Sequence, residues 1–318
     1  MNNNIIHIVT PVIAILLFVA IMGVVTMSGI PTTTLDCAGI ASRLSLPAVG
    51  GVASILINAV TILLTAVLIN NIAIRYNLVK ERTLLPALFF LLFQLLNTTL
   101  TKGLFIGNVT TLIVIVTVII LYSCYQMKFS TEKGFLIAII LSLSSLCEAR
   151  ILYLLPLIMV GFVQMQAASW RTFAAVVVGL ITPYWIVCGM GWVECSSLDF
   201  ATLLPQFNFS AITVAHIPVI VTIIIGFVVG CFNLSYALNE KIHTRAMNGF
   251  VNLLSVYTTL IMLIDNGHYT HYLPLLNASV ALQATYFFTT LRNRTTAIIF
   301  YTITTLLIAG VIYQYLYC

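Results

Sequence analysis

Three short stretches hold most of the residues in this chain that could do chemistry. Asp265-Asn-Gly-His268-Tyr-Thr-His271-Tyr272-Leu-Pro274 places one Asp, two His and two Tyr within eight residues and contains no Lys or Arg. The i, i+3 spacing of His268 and His271 can put both imidazoles on one helical face, and Asp265 would be the nearest further ligand for a metal ion. The same residues suit contact with a phosphate or sugar, and Tyr and His also serve as amphipathic anchors at a membrane interface. The second stretch, Leu146-Cys147-Glu148-Ala149-Arg150, sets two opposite charges in a turn between short apolar runs. Ionisable residues held below headgroup level pair with one another or line a cavity. Glu148 and Arg150 therefore form a structural pair, or Arg150 offers its guanidinium fork to an anionic headgroup or phosphate. The third is Pro31-Thr-Thr-Thr-Leu-Asp36-Cys37, followed by Arg43. Asp36 could act as a general base, hold a divalent ion, or simply keep a loop wet. A longer polar stretch at 189–216 carries Trp192, Glu194, Cys195, Asp199, Phe207 and Phe209, which could stack on sugar rings or lie flat on lipid.

The rest of the chain must position these residues, and its composition dictates how. Hydrophobic residues make up 61% of the 318 residues and charged residues 7%, with a mean hydropathy of +1.12. A soluble domain is about 25% charged. This chain could not cover a water-facing surface, which excludes a soluble enzyme, a nucleic-acid binder and a disordered scaffold. The fold class is all-α, a polytopic bundle in a membrane. Apolar runs fall near 5–27, 49–69, 84–96, 109–124, 134–146, 151–163, 173–188, 217–237, 247–264, 272–291 and 297–317, eleven candidate spans. The first follows a segment with no Lys or Arg and is too long for a signal-peptide core, so it reads as an uncleaved span. The runs at 84–96, 134–146 and 151–163 are short of the roughly 20 residues a crossing needs, so each could instead be re-entrant or half-buried.

Charge tests the count. With the N-terminus in the cytoplasm and strict alternation, ten of 13 basic residues are cytoplasmic: Arg75, Lys80, Arg82, Lys128, Lys133, Arg171, Lys241, Arg245, Arg292 and Arg294. If 134–163 crossed only once, the later loops would change side and the bias would disappear. The alternation also places Asp36, Glu148, Glu194, Asp199, Asp265, His268 and His271 on the outer face, with the C-terminus outside as well. Asn58, Gln94, Asn97, Asn252, Asn277 and Gln283 fall within or at the ends of spans, where interhelical hydrogen bonds are expected. The seven cysteines show no CxxC or zinc spacing. Cys37 and Cys195 share the predicted outer side and could form a disulfide. No Walker loop, GxGxxG, GxSxG or HExxH occurs, which argues against a nucleotide-driven pump or a soluble-type hydrolase.

Several segments resemble an uncharacterised multi-pass inner-membrane family of Bacteroidetes: Asn77-Leu-Val-Lys-Glu-Arg-Thr-Leu-Leu-Pro86, Gly134-Phe-Leu-Ile-Ala with Leu155-Pro156, Trp170-Arg171-Thr-Phe with Gly179-Leu-Ile-Thr-Pro183-Tyr184, and Ala284-Thr-Tyr286-Phe-Phe before Arg292-Asn-Arg294. That resemblance implies a bacterial inner-membrane location. More distantly, the order of elements is similar to the GT-C superfamily, glycosyltransferases that take sugars from polyprenyl-phosphate donors. The short paired spans at 134–163 ahead of Trp170-Arg171, and the His271-Tyr272-Leu273-Pro274 stretch, carry this likeness.

The GT-C resemblance implies a single transmembrane domain over 1–318, with a GT-C-like core at about 1–190 and C-terminal helices at about 214–318. It implies a catalytic Asp36 in the first outer loop, as base or metal-holding carboxylate. Arg150, His268 and His271 would neutralise a lipid phosphate, with Glu148 orienting Arg150. Asp265 and Tyr272 would complete the substrate site, and Trp192 and Glu194 would contact sugar or acceptor. The implied partners are membrane lipid and a lipid-linked sugar, with a divalent metal as the one cofactor in question. Two other classes remain open: a lipid or small-molecule transporter, which predicts a polar path to the inner face, and a non-catalytic subunit of an envelope assembly, which predicts that Asp36, Arg150 and His268 are dispersed.

Overall fold

In the computed structural model the described residues are 51–79, 83–127, 130–191, 203–205, 216–237, 240–290 and 294–317, with parts of 15–23. They form helices and turns, with no strand among them. Among the described residues, five helices are long and apolar enough to cross a membrane: α1 (Gly51–Arg75), α6 (Trp170–Gly189), α7 (Ile217–Ala237), α8 (Ile242–Ile264) and most of α10 (Arg294–Tyr317). The protein is thus an all-α membrane protein by the length and composition of its helices.

The short runs resolve into distinct elements. The run at 84–96 becomes α2 (Leu85–Leu95), in which every residue but Ala87 is buried, followed by one 3-10 turn at Thr98–Leu100. Eleven residues rise about 16 Å, half of the ~30 Å hydrocarbon layer, so α2 is an interior element. Helix α3 (Ile106–Tyr122) follows. The run at 134–146 lies in α4 (Thr131–Ser145). The run at 151–163 splits into a 3-10 helix, Ala149–Leu154, and α5 (Leu155–Gln164), whose Pro156 sits in the first turn where its missing N–H is harmless. The run at 272–291 becomes α9 (Tyr269–Thr290), the innermost helix, buried along nearly its whole length from Tyr272 to Tyr286.

Two packing contacts fix the element ends that matter. Helices α4 and α6 run parallel, tied at one end by Ser130 to Thr172 (2.9 Å) and at the other by Ser145 to the Tyr184 hydroxyl. Their backbones approach closely because Gly179 has no side chain: a Cβ there would stand 2.7 Å from the Phe135 carbonyl oxygen. Small residues permit such approach where no hydrophobic force drives helices together in lipid. Ser169 caps α6, accepting from the Thr172 N–H at 3.2 Å. Helix α3 meets α9 in the same way at Gly107, where a Cβ would lie 2.8 Å from the His271 carbonyl oxygen.

The two ends of the bundle differ in charge. Lys133, Arg171, Lys241 and Arg245 stand at or near the starts of α4, α6 and α8. Glu148 and Asp265 stand just beyond the far ends of α4 and α8.

Candidate functional site

The chain breaks helix at two points on that acidic end, and both breaks present a carboxylate inward. After α4, the Cys147 and Glu148 N–H groups donate back to the Ser144 carbonyl at 3.1 and 2.9 Å, and the backbone then turns extended at Glu148 (φ −139°, ψ 99°). Glu148 precedes the 3-10 helix without capping it through its side chain. At the end of α8, Asp265 leaves helical geometry (φ −109°, ψ 60°) and its carbonyl accepts from the His268 N–H at 3.1 Å. Both residues are 2% exposed.

These breaks meet at Arg150. Its Nη1 donates to Glu148 Oε1 at 3.0 Å, and its Nε stands 3.5 Å from Asp265 Oδ2. Asp265 is further held by the Tyr272 hydroxyl, donating to Oδ2 at 3.0 Å, and by His268 Nδ1, 3.2 Å from Oδ1. His271 faces the other side of Glu148, with Nδ1 3.7 Å from Oε2. Neither of those two buried atoms has a hydrogen-bond partner among the described residues. The His268 and His271 rings meet edge to face with centroids 5.9 Å apart, and Phe105 leans on His271 at 5.4 Å.

A small cleft of ≈ 20 Å³, room for a water-sized group, opens on this cluster, lined by Glu148, Arg150, His271 and Tyr272 with Thr110 and Thr111 of α3. Among the described residues, the Arg150 guanidinium reaches both buried carboxylates, Glu148 and Asp265. Burial pushes the Glu148 carboxyl up to about 7, with neighbouring Asp265 raising it further and Arg150 pulling it down. The cluster therefore holds a proton near neutrality that an exposed carboxyl would have lost.

The sequence-predicted residues Glu148, Arg150, Asp265, His268, His271 and Tyr272 are all brought together here. Asp36, Trp192, Glu194 and both Cys37 and Cys195 lie outside the described residues. Among the described residues no group of three or more His, Cys, Asp or Glu is arranged to hold a metal ion. The i, i+3 imidazoles do stand side by side, but they belong to two elements, His268 to a 3-10 turn (Asn266–His268) and His271 to α9. Thr110 and Thr111 carried no signal, being two hydroxyls in an apolar run. Gly107 carried none either, since its role depends on which helix packs against it.

No protein-family model, curated protein or solved structure matches this chain.

Proposed function

We propose that this is a membrane-embedded transferase of the GT-C kind, moving a sugar from a polyprenyl-phosphate carrier on the outer face of a bacterial inner membrane, within a bundle of eleven spans. The observation that carries the reading is the convergence of two distant chain segments, 148–150 and 265–272, on one cleft at one end of the bundle. A non-catalytic subunit has no need to bring buried charges from two helix breaks together at an opening. The donor phosphate is received by His268 and His271, whose side chains are 24% and 18% exposed, and by Arg150, which the two carboxylates hold in a fixed orientation. A preorganised guanidinium and N–H donors of this sort stabilise the charge that grows on the phosphate as the sugar leaves. Asp36 serves as base or as the carboxylate for a divalent ion.

The test compares envelope glycans from cells carrying the normal chain, Asp36→Asn, His268→Gln or a full deletion, at matched abundance. A truncated glycan shared by the deletion and both variants is the expected result. If the deletion alters the envelope and neither substitution does, transfer at this site is wrong.

One observation favours transport instead. Between α8 and α9, Gln283 Nε2 donates to Asn252 Oδ1 at 2.9 Å and to Ser255 Oγ at 2.6 Å. Gln283 Oε1, Asn252 Nδ2 and Asn248 Nδ2 are buried without hydrogen-bond partners among the described residues. These amides form a polar seam leading from mid-helix toward the basic end, as a solute path would require. On that reading Gln283→Leu is as damaging in cells as His268→Gln; on the transferase reading it leaves the glycan intact.

A further inference from the structure

Glu148 uses only half of its carboxylate to hold Arg150. Oε1 accepts from Arg150 Nη1, whereas Oε2 makes no hydrogen bond among the described residues, and Glu148 lines the cleft. There Oε2 faces His271 Nδ1 across 3.7 Å. That gap is too long for a direct hydrogen bond, which ends near 3.2 Å, but one oxygen could sit about 2.8 Å from both atoms. Both atoms are buried and unpartnered among the described residues, and both residues line the cleft, so one small polar group can bridge them.

The chemistry of that group follows from its neighbours. A cation would be repelled by Arg150 on the other edge of Glu148. An anion would meet Oε2 head on. A hydroxyl both donates and accepts, so it can give its hydrogen to Oε2 and accept one from the imidazole Nδ1–H.

We propose that Glu148 Oε2 and His271 Nδ1 bind the reacting hydroxyl of the acceptor, and that Glu148 is the catalytic base that takes its proton. This rests on the glycosyl-transfer reading and assigns the proton to Glu148, leaving Asp36 the metal-holding or donor-side role. In the step, the acceptor O–H gives its proton to Glu148 Oε2 while the oxygen lone pair forms the bond to the anomeric carbon. The bond from that carbon to the phosphate oxygen breaks, and its electron pair leaves with the phosphate. The proton later passes from Glu148 to water.

The electrostatics suit the task. Burial holds Glu148 near 7, so its basic form is available at neutral pH while still able to bind a proton. The groups facing it are Arg150 from the adjoining 3-10 helix, Asp265 from the end of α8, His268 beside Asp265, and His271 and Tyr272 from α9. From α3 come the hydroxyls of Thr110 and Thr111, which carry no charge.

The experiment uses membrane vesicles from cells overproducing the full chain, and measures free polyprenyl phosphate released from the endogenous pool of polyprenyl-phosphate-linked sugars. Vesicles from deletion cells set the background. The normal chain is expected to release faster as pH rises toward about 7 and to level off above it. Glu148→Gln, which keeps the oxygen that accepts from Arg150, should lose roughly 10²–10⁴-fold and show no rise with pH. Glu148→Asp should recover a pH-dependent fraction. A normal rate in Glu148→Gln, or a normal-chain profile flat through neutrality, overturns the base assignment while leaving transfer in place. If Glu148→Gln does not accumulate, the normal-chain profile decides alone. No release above background from the normal chain overturns glycosyl transfer itself.

Discussion

Two of the polar regions inside this bundle are built on opposite plans. One is the ionic cluster of Glu148, Arg150, Asp265, His268, His271 and Tyr272. The other is an amide ladder across four helices: Asn277 Nδ2 donates to Gln94 Oε1 at 3.1 Å, Gln94 donates to Asn108, and Asn108 Nδ2 donates to Asn58 Oδ1 at 2.8 Å. Asn58 and Asn108 both finish on the Leu100 carbonyl, at 2.8 and 2.9 Å. The ladder is neutral, ties α9, α2, α3 and α1 together, and satisfies backbone exposed where the chain turns after α2. The cluster is charged, sits at two helix breaks and opens on a cleft. Amides in such a core answer the chain's own hydrogen-bonding needs. Ionisable residues buried in a membrane protein pair with one another or line a cavity, and this set does both.

That contrast predicts unequal consequences, the greatest at Arg150. Arg150→Met removes a guanidinium that pairs with two buried carboxylates, and breaking those pairs should cost about 3–5 kcal/mol. Unfolding of the purified protein in detergent should show the loss at neutral pH. It should shrink on acidification, as the carboxyls protonate. An equal loss at every pH would mean that packing of the guanidinium, and not charge balance, holds the cluster.

The next effect is the pH dependence of stability itself. Glu148 is raised in the folded protein to about 7 from an ordinary value of 4.5, so the folded state binds the proton more tightly than the unfolded chain. Its contribution is fully present below about 4.5 and is lost as pH rises toward 7, at most about 1.4 kcal/mol per pH unit. Glu148→Gln should flatten the stability curve through that window. If the curve of the normal protein already falls the other way there, Glu148 is not held up by burial.

How much of this could be read from the sequence depends on what each feature rests on. The Glu148–Arg150 turn and the Asp265–Tyr272 stretch were legible because ionisable residues are scarce in a chain with 7% charge. The amides Asn58, Gln94 and Asn277 were legible as interhelical bonds, although Asn108, at the centre of the ladder, was not among those singled out. What could not be read was which stretches meet. The pairing of 148–150 with 265–272 is set by α4 packing on α6 at Gly179 and α3 packing on α9 at Gly107, contacts that leave no periodic signature. The 84–96 run illustrates the same limit, since an apolar segment buried in protein and one facing lipid have the same composition. Length alone separated them, and α2 is too short.

Gly107 therefore offers a third way to break the comparison. Gly107→Ala puts a Cβ against the Phe105 ring and the His271 backbone. Overpacking of this kind costs typically about 1–3 kcal/mol, and here it pushes the segment that carries His271. The substitution should cost more function, read from envelope glycan, than its thermal destabilisation explains. A variant that loses the two in proportion would show that the His271 position does not matter.

The smallest effect belongs to the ladder. Asn277→Leu leaves Gln94 Oε1 without the 3.1 Å bond it accepts, but also removes Asn277 Oδ1, itself buried and unpartnered among the described residues. One loss offsets the other, and interhelical hydrogen bonds in membranes average about 0.6 kcal/mol. Stability should fall by about that amount and the glycan should not change. Asn277 lies six residues, not quite two turns of α9, beyond His271, so the variant probes how far the site extends along the helix. A glycan defect with normal stability would place the ladder inside the functional unit, and the division between a structural interior and a reactive end would have to be redrawn to include Gln94 and Asn108.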